Sequence, residues 1–196
     1  SCNAPTKMLV SAQNYDKAVE VAVQTAKSTT VGDPQGEFRI GPIANKAQYE
    51  KILRMIEIGI EEGARLVAGG IEKPEGYEKG YYVKPTVFAD VTNDMTIAKE
   101  EIFGPVVSII PFSDELDAIN IANDTNYGLT NYIQTKDIEK ANRVARELRS
   151  GMVEINGYSF ADGAPFGGYK QSGSGREGGT WGLEEYLEVK SISGWK

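Results

Sequence analysis

Glu100-Glu101-Ile102-Phe103-Gly104-Pro105-Val106 runs directly into Val107-Ser108-Ile109-Ile110-Pro111, and this passage decides the fold. Two carboxylates and an aromatic ring stand before a Gly-Pro turn. The turn feeds an apolar, β-branched run that reads as a buried strand. A helix is expected soon after it, over residues 114–123. Similar short runs at 66–68, 86–88, 132–134 and 152–155 read as further strands. Helical periodicity surrounds them. Tyr15, Ala18, Val19, Ala22 and Ala26 fall on one face. So do Tyr49, Ile52, Leu53, Ile56 and Ile60, with Glu50, Lys51, Arg54 and Glu57 turned away. Asn45 with Gln48 resembles a capping pair, and Gly63 suits a helix stop. A helix over residues 137–148 would bury Ile138, Ala141, Val144, Ala145 and Leu148, and a short one is expected at 181–186. Helices that alternate with strands predict an α/β fold, a largely parallel sheet flanked by helices. The Gly- and Pro-rich stretches 69–80 and 156–179 read as loops, and the second has the length of a functional loop. Residues 188–195 read as a last strand, whose Val189, Ile192 and Trp195 need a cover.

At 196 residues the chain is large enough for one domain with a substantial core. Its 40% apolar and 25% charged residues are those of a globular protein, not a disordered one. A net charge of −7 repels phosphate backbones, so no nucleic-acid partner is expected. No apolar run has membrane-spanning length and no signal peptide is visible, so a cytoplasmic location without membrane contact is expected. A single cysteine excludes an intrachain disulfide framework and points to a reducing compartment. The absence of histidine removes any Ser-His, Cys-His or His-zinc mechanism completed within these residues, and no metal site is expected. The chain begins without Met, as a processed product or a fragment does.

That cysteine is Cys2, in Ser1-Cys2-Asn3-Ala4-Pro5-Thr6. A thiol nucleophile needs a lowered pKa or a base beside it. Without His, a Glu or a helix N-terminus must serve. On position alone, a frayed end without a role is the better reading of Cys2. In the passage around Glu101 and Phe103, a carboxylate suits paired sugar hydroxyls and a ring suits a flat heterocycle. The same spacing suits a solvated acidic turn over a core Phe. Phe160 and Phe166 suit either the walls of an apolar channel or pins that hold a loop to the core. Gly173-Ser174-Gly175-Arg176-Glu177-Gly178 fits the dinucleotide pattern Gly-x-Gly-x-x-Gly. No strand precedes it and no βαβ unit surrounds it, so its glycines read as a close backbone crossing.

Together these segments resemble the aldehyde dehydrogenase family. The resemblance is collinear over nearly the whole chain. It runs through Ser1-Cys2-Asn3-Ala4-Pro5-Thr6-Lys7, Val31-Gly32-Asp33-Pro34, Lys84-Pro85-Thr86-Val87-Phe88, the passage from Glu100 to Val106, and Ala122-Asn123-Asp124-Thr125. It continues through Pro165-Phe166-Gly167-Gly168-Tyr169-Lys170-Gln171-Ser172-Gly173 and Gly182-Leu183-Glu184-Glu185-Tyr186. It implies oxidation of an aldehyde to a carboxylic acid with NAD or NADP. Cys2 matches the nucleophile that forms a thiohemiacetal and then a thioester, and its backbone N–H matches half of an oxyanion hole. Glu101 matches the carboxylate on the nicotinamide ribose, and Phe103 the aromatic beside the nicotinamide. Phe160 and Phe166 match walls of the aldehyde channel. Ser1 and Asn3 flank the nucleophile, where substrate preference is tuned. Lys7 stands where Arg is commoner, a mild departure.

The resemblance also implies absences. The cofactor-binding domain, a general-base Glu and a second oxyanion donor belong upstream of the nucleophile. Residues 1–187 are then expected as the catalytic domain and residues 188–196 as an oligomerisation strand, with a homo-oligomer formed by the intact protein. The chain alone is expected to be inactive. The other readings are a truncated, non-catalytic relative that serves as a binding or assembly module, or a branch that passes the thioester to phosphate or CoA. The Phe160/Phe166 pair and the Gly-Arg-Glu-Gly segment favour the hydrolytic branch by resemblance.

Overall fold

A computed structural model describes residues 1–195. The chain divides into two compact units, Ser1–Asp124 and the remainder from Thr125 onward.

The first unit holds a four-stranded sheet in the order β1-β4-β3-β2. Its elements in chain order are β1 (Lys7–Ser11), α1 (Tyr15–Ser28), α2 (Lys46–Glu61), β2 (Arg65–Ala68), β3 (Thr86–Ala89), α3 (Thr96–Lys99), β4 (Val106–Phe112) and α4 (Glu115–Asn123). β1 and β3 both run parallel to β4, while β2 is antiparallel to β3. β4 is the central strand, and its Ile109 and Ile110 are almost fully buried on opposite faces. On one face Ile110 and Phe88 pack with Ile52 and Ile56 of α2 and Ile97 of α3. On the other, Ile109 and Val87 pack with Val19 of α1. The strand period of two thus assigns neighbouring residues to separate helices. Full burial of side chains the size of Ile52 or Phe88 contributes about 1.5–3 kcal/mol each.

The helix boundaries follow local chemistry. The Asn45 side chain accepts from the Gln48 N–H at 2.9 Å and so caps α2. At the other end Gly63, at φ +92°, permits a Schellman closure: the Ala64 N–H reaches the Gly59 carbonyl at 3.0 Å and the Gly63 N–H reaches Ile60 at 3.1 Å. Asp114 caps α4 through the Asp117 N–H.

The second unit is a βαβ element followed by a long loop. β5 (Thr130–Ile133) and β6 (Met152–Ile155) pair in parallel, joined by α5 (Ile138–Glu147), whose N-terminus Asp137 caps. The loop carries a one-turn 3₁₀ segment at Lys170–Ser172 and the short α6 (Gly179–Glu184).

Several expectations need correction. β1 was not anticipated: Lys7–Ser11 is half-buried throughout, and its pairing to β4 makes it a strand. β5 begins two residues before the expected run. Ile60 and Ile138 are exposed, while Met55 and Gly59 are buried on α2. Residues 188–195 form no strand, because no segment among the described residues pairs with them. Val189 is fully exposed there. Lys196, the last residue of the expected oligomerisation strand, lies outside the described residues.

Candidate active site

Topology brings three of the expected site residues to one edge of the first sheet. β1 and β4 are neighbours that run the same way, with Lys7 opposite Ser108. Cys2 and Phe103 stand equally far ahead of that pair, and Glu101 lies just beyond. Both approach segments are tied into the sheet: the Ser108 N–H donates to the Thr6 carbonyl at 3.0 Å, and the Thr86 N–H to Pro105 at 2.8 Å. The edge is the amino end of the parallel strands. Open α/β sheets more often bind ligands at the carboxyl end.

Cys2 is a free, exposed thiol. It rides on a turn closed by the Ala4 N–H and the Ser1 carbonyl at 3.2 Å, and the Ser1 hydroxyl donates to the Asn3 side-chain oxygen across the same turn. Ser1 and Asn3 are therefore joined across the turn that carries the thiol.

The Glu101 segment is held more elaborately. Ile102 is buried in the α2 core, and this directs its exposed neighbours Glu101 and Phe103 outward. Phe103 has φ +54°, a left-handed conformation that costs a bulky residue about 1–3 kcal/mol. Two side chains of α2 secure it. The Gln48 side-chain amide donates to the carbonyls of Ile102 at 2.9 Å and Phe103 at 3.0 Å. Lys51 Nζ donates to the Glu101 carbonyl at 2.6 Å. Beside them, Gly104 touches Ile52 so closely that a Cβ on it would fall 2.6 Å from the Ile52 methyl. Gln48 therefore does not close a reciprocal capping box, and Lys51 does not face only solvent. The sequence signal was their one-turn spacing beside Ile52, which puts all three on adjoining positions of the helix.

An exposed carboxylate beside an exposed ring, both on braced backbone, is a donor set that fits a nicotinamide riboside: the carboxylate accepts from ribose hydroxyls and the ring packs the flat heterocycle. On the α1 face of the sheet a groove of about 790 Å³ opens, with Ala4, Pro5, Met8, Ala22, Pro105 and Val107 in its wall. None of its lining residues carries a carboxylate or thiol, so the reactive groups lie outside it.

Phe160 and Phe166 belong to the second unit and are half-buried on the long loop. Phe166 is fixed by a two-way bridge with Glu177, at 2.8 and 2.7 Å. The glycine-rich run beyond it is organised by Arg176. Its guanidinium donates to the Gly168 and Gly175 carbonyls and lies 5.7 Å from the Tyr169 ring centre. These contacts make the run a close backbone crossing. No helix among the described residues is long and apolar enough to cross a membrane.

Comparison with known proteins gives consistent matches. Residues 1–192 match the model of the aldehyde dehydrogenase family. A 3-succinoylsemialdehyde-pyridine dehydrogenase from a Pseudomonas species is 48% identical over all of this chain. The crystal structure of an aldehyde dehydrogenase from Bartonella henselae superposes with a TM-score of 0.96 at 55% identity, covering 100% of this chain and 41% of that one. A Cys-to-Ala mutant of aldehyde dehydrogenase C from Pseudomonas syringae, complexed with NAD+ and octanal, superposes over 98% of this chain and 40% of its own with a TM-score of 0.95 at 49% identity. The chain spans 41% of the length of the Pseudomonas relative.

Proposed function

Because the chain belongs to the aldehyde dehydrogenase family, we propose that it is the nucleophile-bearing part of an enzyme that oxidises an aldehyde to a carboxylic acid. The observation that carries this reading is the parallel pairing of β1 with β4, which sets the segments bearing Cys2, Glu101 and Phe103 ahead of neighbouring strands. The Cys2 thiolate attacks the aldehyde carbon and forms a C–S bond, while the carbonyl oxygen becomes an oxyanion that the Cys2 N–H stabilises. The thiohemiacetal then loses the hydride of its former aldehyde carbon and becomes a thioester on Cys2. NAD or NADP, when bound, accepts that hydride. Glu101 would hold the ribose hydroxyls of that cofactor, and Phe103 would pack against its nicotinamide ring. Water hydrolyses the thioester, which releases the carboxylic acid and regenerates the Cys2 thiol.

Water attack needs a base, and the chain has no histidine. The family resemblance assigns that base, and the domain that binds the rest of the cofactor, to polypeptide upstream of the nucleophile. General-base catalysis is worth about 10²–10⁴-fold. The family resemblance assigns the tuning of aldehyde approach to Ser1 and Asn3, and apolar channel walls to Phe160 and Phe166. The octanal complex of the P. syringae relative supports an apolar aldehyde as the substrate class.

NADH formation tests the reading. The full-length polypeptide that carries this sequence should reduce NAD or NADP in the presence of aldehyde, and Cys2→Ala should abolish it. The 196-residue chain alone should give no signal above a boiled control. Turnover by the chain alone, or by the Cys2→Ala protein, overturns this assignment of roles.

A further inference from the structure

We propose that Asn156 is a positioning residue that sets aldehyde selectivity: its side chain locks onto the Thr135 backbone and so fixes the direction in which the loop bearing Phe160 leaves the second sheet. The inference rests on the reading of Phe160 and Phe166 as walls of the aldehyde channel.

Asn156 and Gly157 follow β6 directly, at φ +54° and +77°, and the Tyr158 N–H closes their turn on the Ile155 carbonyl at 3.1 Å. Positive φ at both central residues marks a type I′ turn, and Asn-Gly is a pair that favours it. Such a turn ordinarily opens a hairpin, whose strands then hold it. Here residues 158–165 form no strand, so ladder pairing does not fix their course. The Asn156 side chain supplies what the ladder lacks. Its oxygen accepts from the Thr135 N–H and its nitrogen donates to the Thr135 carbonyl, both at 2.9 Å. The Asn156 N–H donates to the Ile133 carbonyl at 2.8 Å. Backbone and side chain of Asn156 thus continue the β5–β6 pairing beyond its last pair, Ile133 with Ile155. Thr135 is a firm partner, because its hydroxyl accepts from the N–H of Asp137, the residue that caps α5.

Phe160 lies two residues past this turn. The far end of the loop has its own anchor, the two-way bridge between Phe166 and Glu177. The two aromatics are therefore held by separate devices. An amide suits the first of them. Thr135 presents a donor and an acceptor, and one amide group answers both. Asn also tolerates left-handed φ better than most residues. Aspartate would keep the bond from the Thr135 N–H but turn a second acceptor on the Thr135 carbonyl. Glycine would keep the turn and lose both bonds. Either change leaves the turn able to form while the loop loses its fixed direction, and Phe160 shifts relative to Phe166. A long apolar aldehyde needs both walls and should bind more weakly. A three-carbon aldehyde covers less of them and should be little affected.

The test uses the full-length polypeptide with Asn156→Gly, Asn156→Asp and, as a reference, Phe160→Ala. Steady-state oxidation of octanal and of propanal is followed at saturating NAD or NADP, with a melting curve for each variant. Asn156→Gly should raise the octanal KM about tenfold and Asn156→Asp about threefold, the range of one or two lost hydrogen bonds, with kcat and the propanal KM unchanged. Should Asn156→Gly fail to fold, Asn156→Asp decides on the same readouts. An unchanged octanal KM in the Asn156 variants, with a raised one in Phe160→Ala, overturns the positioning role alone. Equal rises for octanal and propanal also overturn it, because that is general damage. An octanal KM unchanged in Phe160→Ala as well overturns the reading of Phe160 as a channel wall, and the positioning role with it.

Discussion

At the scale of single residues, the candidate site depends on positions other than Cys2, Glu101 and Phe103. Gly104 is an example. Its neighbour Ile52 is fully buried in the α2 core, so a methyl at 104, placed 2.6 Å from Ile52, forces either the helix or the Phe103 turn to move. Gly104→Ala is expected to destabilise the chain by about 1–3 kcal/mol, as overpacking does. The urea midpoint of the 196-residue chain measures this, and an unchanged midpoint would mean that the segment relaxes without strain. This dependence was only partly legible beforehand. Gly104 was read as one half of a turn, since a Gly-Pro pair signals a turn from sequence alone. That it abuts a particular isoleucine from another helix is a tertiary fact. The same holds for Gln48, whose i, i+3 relation to Asn45 signals a cap, while its contacts with residues 102 and 103 cross more than fifty positions of chain.

At the scale of elements, the junction of α1, β2 and β3 is fastened by charge. Asp90 follows β3 at φ +56° and receives Arg65 Nε at 2.6 Å, while its N–H donates to the Tyr15 hydroxyl at 2.5 Å. The hydrogen bond from Arg65 holds the Asp90 carboxyl below its ordinary pKa, and burial pushes the Tyr15 phenol upward. A carboxyl depressed in the folded state adds stability above its unfolded pKa of about 3.9, and that stability is lost as pH falls through the folded value. Both partners are half exposed, so solvent screening limits the pair to about 0.2–1 kcal/mol. Asp90→Asn tolerates the same backbone. It should therefore lower the stability of the chain at pH 7 by that amount and show no difference from wild type near pH 2. Urea midpoints at the two pH values decide this; a deficit that persists at low pH would assign the effect to packing. Helix periodicity located α1 and the β-branched run located β3, but no sequence pattern joins Arg65 to Asp90, because the antiparallel register of β2 and β3 creates that pair.

At the scale of the whole molecule, residues 188–195 gather apolar side chains that no other segment among the described residues covers. Val189 is fully exposed, and Ile192 and Trp195 are exposed too. A segment that reads as a strand yet finds no ladder among the described residues fits the oligomerisation strand that the resemblance implies, completed by a neighbouring subunit. Removal of residues 188–196 from the full-length polypeptide should reduce its molar mass in light scattering to that of a smaller assembly. An unchanged mass would assign the interface to other surfaces. The sequence by itself determined the family, the alternation of strands and helices, and the identities of Cys2, Glu101 and Phe103 as candidates, because motif, periodicity and turn chemistry are local properties of neighbouring residues. Only the tertiary structure decided that the segments carrying Cys2 and Phe103 lead into neighbouring strands of one sheet, since that follows from the parallel pairing of β1 with β4. It alone decided that α2 braces the Glu101 segment, because hydrogen bonds and close packing between distant segments exist only after the sheet has assembled.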